Sequence, residues 1–202
     1  MNKGLLIVVS GPAGSGKGTV NAHLLATGDY VFSVSATTRA PRPGETNGVN
    51  YHFISKEDFI GRIERGDMLE YTEYCGNFYG TPKKEAEDVL KSGKNLILEI
   101  EVEGAENVKK KYPDAVLILL LPPSYSVQEQ RLRGRGTETE EKIRERLARA
   151  KEEILHADSY DYVVYNHDGK ADVAADEIKA IVTAEKHSLT RNTTIAKDYL
   201  EK

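Results

Sequence analysis

Residues 5–19 constrain the fold more than any other stretch of the chain. They read Leu-Leu-Ile-Val-Val-Ser-Gly-Pro-Ala-Gly-Ser-Gly-Lys-Gly-Thr, an apolar run that breaks into glycines and reaches a lysine. The five apolar residues are too few for a buried helix and predict a strand covered on both faces, as in a parallel sheet. The glycines that follow allow successive backbone N–H groups to point at one anion. The segment therefore predicts a strand that leads into a phosphate-binding turn.

The spacing Gly11-x-x-x-x-Gly16-Lys17 is that of a site for the phosphates of a nucleoside triphosphate. Lys17 adds a positive charge, and the helix that follows offers its N-terminal donors to the same phosphates. We call residues 11–19 the phosphate loop, and the expected binding residues are Gly11, Pro12, Ala13, Gly14, Ser15, Gly16, Lys17, Gly18 and Thr19. The alternative is a glycine-rich turn that binds nothing.

One position of the phosphate loop departs from the usual pattern. Gly18 stands where a Ser or Thr normally places its hydroxyl on a magnesium ion, and the hydroxyl comes one residue later, at Thr19. We therefore expect magnesium to be held mostly through water.

Composition excludes several classes of function. The 202 residues suffice for one domain with a sizeable core, and 28 Lys and Arg against 32 Asp and Glu argue against bulk binding to nucleic acid or anionic membranes. The single cysteine, Cys75, rules out an internal disulfide and fits a reducing compartment. No separate charged, apolar and cleavage regions precede the first strand, and residues 117–121 are too few to span a bilayer. We expect a cytoplasmic protein that binds neither nucleic acid nor membrane.

Strand-like and helical patterns alternate along most of the chain, which predicts an α/β fold with a parallel sheet flanked by helices. Residues 115–121 form the most apolar run, and we expect them to be the central strand. A β-rich insert at about residues 36–81 interrupts the order, with a hairpin at residues 68–80 that suggests a small antiparallel lobe. The remaining parts of this single domain, 1–202, are a core at about 4–35, 82–125 and 147–190, a lid at about 126–146 and a polar tail at about 188–202.

Two helix starts are indicated by capping residues. Thr81-Pro82 pairs a capping residue with a proline at the first helical position. Thr137-x-x-Glu140 predicts a capping box for a long helix, whose apolar stripe is Ile143, Leu147, Ala150 and Ile154.

Arginines and tyrosines outside the phosphate loop suggest a second anion site. Arg39 and Arg42 lie three residues apart in a loop with two prolines, and with Tyr51 and Tyr79 they could hold the phosphate of an acceptor. The alternative is an ordinary solvated loop with half-buried strand tyrosines.

Three further arginines, Arg131, Arg135 and Arg146, flank the glycines at 134 and 136, as a cationic lid would require. Arg131 and Arg146 could equally pair with helix glutamates such as Glu138 and Glu141.

Further segments stand in the chain in this order: Ser35-Ala-Thr-Thr-Arg39-x-Pro-Arg42-x-Gly44-Glu45, Tyr51-His-Phe, Gly66-x-x-Leu69-Glu70-Tyr, Gly76-Asn-x-Tyr79-Gly-Thr81-Pro82, Leu98-Glu99-Ile100, Arg131-Leu-x-Gly-Arg135-Gly-Thr137-Glu138 and Tyr162-Val-Val-Tyr-Asn166. Together with the phosphate loop, they resemble the guanylate kinase family in order and spacing, over roughly residues 4–185. The segment from Ser35 to Glu45 is the most specific, because it separates this family from other nucleotide kinases that share the loop.

The resemblance implies transfer of the γ-phosphoryl group of ATP to GMP, with magnesium and without a covalent enzyme intermediate. It implies that Arg39, Arg42, Tyr51 and Tyr79 bind the GMP phosphate, that Ser35, Glu70 and Thr81 read the guanine, and that Glu99 belongs to the same pocket. Lys17, Arg39, Arg131, Arg135 and Arg146 would neutralise the transferring phosphoryl group, Asn166 would lie near adenine, and Thr19 and Glu101 are candidate magnesium ligands. A carboxylate at Glu70 suits guanine, whose N1–H and N2–H form a donor pair that adenine lacks. dGMP is a further candidate acceptor, and no oligomeric state is predicted.

The chain departs from the family pattern at residues 99–104. It has Glu99-Ile100-Glu101-Val102-Glu103-Gly104 where the family usually reads Glu-Ile-Asp-Val-Gln-Gly. Glu101 keeps the charge but adds a methylene, and Glu103 replaces a neutral amide with a charge. The sequence leaves two alternative functions: an inactive phosphopeptide-binding module of the same fold, and a kinase for another phosphorylated acceptor.

Overall fold

The computed structural model describes residues 3–74, 76–134, 136 and 139–201. Four residues with sequence-based predictions, Cys75, Arg135, Thr137 and Glu138, lie outside them. The strands of the described part are β1 Leu6–Ser10, β2 Tyr30–Phe32, β3 Ala36–Thr37, β4 His52–Phe53, β5 Met68–Tyr74, β6 Asn77–Pro82, β7 Asn95–Leu98, β8 Val116–Leu121 and β9 Tyr162–Tyr165. Its α-helices are α1 Lys17–Leu25, α2 Lys56–Glu64, α3 Lys83–Lys91, α4 Val102–Lys111, α5 Tyr125–Gly134, α6 Glu140–Ile154, α7 Ala171–His187 and α8 Ile195–Leu200.

A parallel five-stranded sheet, ordered β2-β7-β1-β8-β9, confirms the predicted α/β fold. Ile7 and Val9 of β1 pack with α1 and α7 on one face, and Leu6 and Val8 pack with α3 and α4 on the other. All five residues of β1 are buried, which is the two-sided cover that a parallel sheet requires. The phosphate loop follows directly from the carboxyl end of this strand.

The prediction that residues 115–121 form the central strand is wrong. β8 lies between β1 and β9, and β1 occupies the middle of the sheet. Five of the six residues of β8 are buried. A strand next to the centre is covered by helices and by neighbours on both sides, so its apolarity does not distinguish it from the central one.

A second sheet, ordered β4-β3-β6-β5, is built from the insert. The predicted hairpin is present as the antiparallel pair of β5 and β6. The sheet is mixed and not purely antiparallel as expected, because β3 pairs parallel with β4. The loop between Thr37 and His52 is long enough to return the chain in the same direction, which a short hairpin turn cannot do.

The start of α3 differs from its prediction. Thr81 and Pro82 still belong to β6, and the helix begins at Lys83. Thr81 does not cap the helix and instead donates its hydroxyl to Glu70 Oε1 at 2.8 Å. Glu70 and Thr81 are cross-strand partners in the hairpin, which brings their side chains together.

Helix α6 is capped by Thr139, whose side chain accepts from the backbone N–H of Lys142, and not by the predicted Thr137. Its predicted apolar stripe is buried at Ile143, Leu147 and Ala150, but Ile154 is 39% exposed. Beyond α7, the expected polar tail contains the short helix α8. No helix within the described ranges is both long enough and apolar enough to cross a membrane.

Candidate active site

A cavity of about 690 Å³ lies beyond the carboxyl ends of β1 and β7, between the phosphate loop and the insert, and we call it the cleft. It is lined from the phosphate-loop side by Ser10, Gly11, Ala13, Gly14, Gly16, Lys17, Gly18 and Thr19. The insert and the residue before it contribute Ser35, Arg39, Arg42, Glu45, Tyr51, Glu70, Thr72, Tyr79 and Gly80. The third wall consists of Glu99, Ile100 and Glu101 with Arg146, Arg149 and Glu153 of α6. The cleft thus brings together most of the residues that the sequence singled out from distant segments.

The phosphate loop holds backbone conformations that a side chain would block. Gly11 has φ 154° and Gly16 has φ 87°. A Cβ atom at Gly11 would lie 2.1 Å from the carbonyl oxygen of Leu120, and one at Gly16 would lie 2.3 Å from Nδ2 of Asn166. The loop packs so closely against β8 and the residue after β9 that these two positions require glycine.

Helix α1 begins at Lys17 without a side-chain cap. The first-turn N–H groups of a helix have no intrahelical partner, so an uncapped start next to the cleft is suited to bind an anion. The Lys17 ammonium donates to the carbonyl groups of Gly11 and Pro12, which keeps the charge over the loop. Gly18 and Thr19 are exposed on the cleft wall.

Arg131 and Asn166 contact the phosphate loop but do not line the cleft. Arg131 Nη1 donates to the Gly14 carbonyl at 3.2 Å, and Nη2 donates to the Asn166 carbonyl at 2.8 Å. The Asn166 side chain donates to the Ser15 carbonyl at 2.8 Å. Among the described residues, the carboxylate partner of Arg131 is Asp168, at 2.6 Å. Both side chains therefore brace the loop, and Pro12 and Ser15 are buried within it.

Arg39 is held rigidly on the insert side. Its guanidinium forms two parallel bonds of 2.9 Å with the Glu45 carboxylate, and Glu45 also accepts from the backbone N–H of Arg42 at 2.7 Å. The guanidinium lies 5.4 Å from the centre of the Tyr51 ring, which in turn packs edge-on against Tyr79 at 6.1 Å. With only 14% of its side chain exposed, Arg39 is not an ordinary solvated loop residue. No role was predicted for Glu45, and the structure shows that it orients the Arg39 guanidinium and holds the backbone of Arg42.

Glu70 is 1% exposed, and its partner Thr81 is fully buried. Its neighbour Leu69 packs into the core of the large sheet. Gly104 of α4 lies so near that a Cβ there would meet Glu70 Oε2 at 3.4 Å. Burial raises the pKa of Glu70 to about 7, although the hydrogen bonds from Thr81 act in the opposite direction. A buried acceptor held by Thr81 is thereby placed in the cleft.

Asn21 is a buried site residue that the sequence did not indicate. Its Nδ2 donates to Glu99 Oε2 at 2.9 Å, and only 3% of Asn21 is exposed. Asn21 lies one helical turn after Lys17 on α1. This spacing, which puts both residues on one side of the helix, is the feature of the sequence that could have indicated Asn21. Through this contact, the helix that follows the phosphate loop also fixes a carboxylate on the opposite wall.

Arg149 and Glu153 were also missed. Arg149 Nη2 donates to Glu101 Oε2, and Nε donates to Glu153 Oε1, each at 3.1 Å. Arg149 comes three residues after Arg146 on α6, a spacing that puts both on one side of the helix. Of the two departures from the family pattern, Glu101 thus pairs with Arg149, whereas Glu103 accepts from the Thr72 hydroxyl at 3.3 Å.

A phosphate loop at the end of a central parallel strand, facing a second cationic pocket across one cleft, defines a nucleotide-binding P-loop kinase. The family model for guanylate kinase matches residues 3–185. The guanylate kinase of Halalkalibacterium halodurans is 54% identical over 91% of this chain and 89% of its own length. That of Clostridioides difficile is 48% identical over 96% and 95%, respectively. The crystal structure of guanylate kinase from Anaplasma phagocytophilum superposes with a TM-score of 0.75 at 35% identity, covering 95% of this chain and 90% of that one.

The chain belongs to the guanylate kinase family, and it converts ATP and GMP to ADP and GDP. This assignment decides against both an inactive binding module and a kinase for another acceptor.

Proposed function

We propose that ATP and GMP meet in the cleft, with the ATP phosphates on the phosphate loop and the GMP phosphate on Arg39, Arg42, Tyr51 and Tyr79. The observation that carries the proposal is the pair of cationic sites that line one cavity, Lys17 with the uncapped start of α1 and, on the insert, Arg42 beside the Arg39 that Glu45 orients. Arginine forks match phosphate oxygens, and tyrosine hydroxyls add neutral donors. Positioning two anionic reactants in line, with cations between them, is the main task of a phosphoryl-transfer enzyme.

The guanine base would be read by Glu70, Thr81 and Ser35, with Glu99 on the same wall. Glu70 is buried with one oxygen occupied by Thr81, so its free acceptor capacity is directed to a base that offers N–H donors. Guanine presents N1–H and N2–H together, whereas adenine has no such pair. dGMP is a further candidate acceptor, because these assignments involve the base and the phosphate and not the ribose 2′-hydroxyl.

Lys17, Arg39 and Arg146 would neutralise charge on the transferring phosphoryl group, with Arg131 and Arg135 reaching it from the lid. We propose that the lid and the insert close over the substrates as separate pieces. In support, Ala36, Phe59 and Met68 form a small apolar cluster within the insert, and the lid-region cluster of Leu132, Ile143 and Leu147 meets the phosphate loop at Ala13. Asn166, which braces the loop at Ser15, would lie beside the adenine of ATP.

Magnesium would be held by Thr19 and Glu101, directly or through water. Hydroxyl and carboxylate oxygens are suitable donors, and magnesium usually takes one or two carboxylates together with substrate phosphates. Bound magnesium would supply positive charge to the phosphates. We place the reaction in the cytoplasm, where both nucleotides occur.

The experiment that tests these assignments is steady-state ADP formation by Lys17→Ala and Arg39→Ala. We expect kcat/KM for ATP to fall by about 100-fold or more in Lys17→Ala, and that for GMP to fall comparably in Arg39→Ala. Matched controls are Lys91→Ala and Arg62→Ala, which remove helix residues that do not line the cleft and that pair with Glu87 and Asp58. Folding is checked by circular dichroism, and near-normal rates in either test variant would overturn the assignment of that residue.

A further inference from the structure

We propose that Arg149 is a further phosphate-binding residue of the cleft, which exchanges the carboxylates of Glu101 and Glu153 for phosphate oxygens when nucleotide binds. The proposal deepens the proposed function and rests on its placement of the substrate phosphates in the cleft.

The position of Arg149 supports this role. Arg146 and Arg149 both line the cleft from α6 and are three residues apart, so they lie on neighbouring positions of one helix face. Arg144, on the same helix, is 77% exposed and pairs with Glu140. It does not line the cleft. Two of the three arginines on this helix are therefore directed at the space that holds phosphate.

One partner of Arg149, the Glu101 carboxylate, is weakly held and easily exchanged. The Arg149 side chain is 38% exposed, and that of Glu101 is 52% exposed. Ion pairs between partly exposed side chains contribute little net stability, so leaving one costs little. A guanidinium binds a phosphate with two parallel hydrogen bonds to a more highly charged group. An incoming polyphosphate thus offers Arg149 a stronger partner than the one it leaves.

The charges on this wall also require a cation. Glu101 and Glu153 line the cleft on either side of Arg149, and the Glu153 side chain is only 16% exposed. Burial and the neighbouring charge of Glu101 raise the pKa of Glu153, whereas Arg149 and Lys17 lower it. Arg149 and Lys17, which both line the cleft, therefore both stabilise the charged form of this carboxylate. Without Arg149, this wall would repel a nucleotide.

The test compares Arg149→Met, which keeps the length of the side chain but removes the charge, with Arg144→Met as the matched control on the same helix. ATP binding is measured by calorimetry with magnesium and without GMP, and kcat/KM for ATP is measured at saturating GMP. We expect Arg149→Met to weaken both by about 10-fold or more, and Arg144→Met to change neither. Arg149→Lys, which keeps the charge without the fork, should fall between them and serves in place of Arg149→Met if that variant does not fold.

A double-mutant cycle with Glu153→Gln separates phosphate binding from a purely structural role. If Arg149 binds phosphate, Glu153→Gln should leave ATP affinity unchanged or tighter, and adding Arg149→Met to it should still cost about 10-fold. If Arg149 only braces the carboxylates, Glu153→Gln, Arg149→Met and the double variant should all behave alike, and the proposal is overturned. Lys17→Ala tests separately whether ATP binds in the cleft. Weakened ATP binding in Lys17→Ala with normal binding in Arg149→Met refutes only this proposal, whereas normal binding in both refutes the proposed site.

Discussion

Glu70 shows how a single residue combines two conflicting requirements. Its carboxyl group is 1% exposed, and burial raises its pKa to about 7. The neutral form is therefore favoured in the free protein below that pH. Accepting from both N1–H and N2–H of guanine requires the ionised form, which has acceptors only. The free site is thus less stable than it could be, which is common where a buried polar group serves binding.

This conflict predicts a pH-dependent effect of Glu70→Gln on stability. A carboxyl group whose pKa rises from 4.5 unfolded to about 7 folded contributes stability that is full below the unfolded value. That contribution is lost as the pH rises through 7. Glutamine is neutral at every pH. The free energy of unfolding of Glu70→Gln, relative to that of the natural protein, should therefore increase by up to about 3 kcal/mol between pH 5 and pH 9. Urea unfolding without nucleotide measures the difference, and a difference independent of pH would contradict the raised pKa.

The sequence indicated Glu70 through its motif but could not predict its burial. The pairing of β5 with β6 shifts register between Met68 and Glu70, so alternation does not decide which side chains are covered, and both Leu69 and Glu70 are buried near α4, a later helix. Asn21 and Arg149 were missed for a related reason. Their helical positions are evident from the sequence, but the carboxylates that tie them to other parts of the cleft, Glu99 and Glu101, are 78 and 48 residues away.

At the scale of the elements, the strand, turn and helix around the phosphate loop were predictable because every signal is local. The apolar run, the glycines and the helix start all lie within residues 5–25. What the sequence did not reveal is how tightly Leu120 and Asn166 enclose the loop, since these residues come from β8 and from the residue after β9. The same limit explains the error at Thr81, which has the sequence of a helix cap but faces a partner in β5.

Two glycines of the loop should respond differently to alanine. Gly16→Ala places a Cβ 2.3 Å from Asn166 and requires φ of 87°, so it should destabilise the protein by about 1–3 kcal/mol. Gly18→Ala meets no atom within 4 Å in the first turn of α1, and it should be neutral or stabilising by up to about 1 kcal/mol. Thermal unfolding of both variants without nucleotide gives the comparison. Equal stability of the two would show that Asn166 does not enclose Gly16.

At the scale of the whole molecule, one sheet supports two smaller pieces around a shared cleft. The large sheet is covered by helices on both faces, the insert has a small apolar cluster of its own, and the cluster of the lid region packs against Ala13 of the phosphate loop. The α/β class was predictable from the alternation of strands and helices. The order of the strands and the mixed pairing of the small sheet were not, because both depend on which segments meet in space.

The most direct test of the account is ADP formation from ATP and magnesium with GMP, AMP, CMP or UMP offered separately, for the natural protein and for Glu70→Ala. The natural protein should turn over GMP far faster than the other three. Glu70→Ala should lose about 100-fold or more of that preference while remaining folded, because the acceptor for the guanine donor pair is gone. Glu73→Ala, which removes an exposed carboxylate from the same strand, serves as the control. An undiminished preference for GMP in Glu70→Ala would show that guanine is recognised elsewhere.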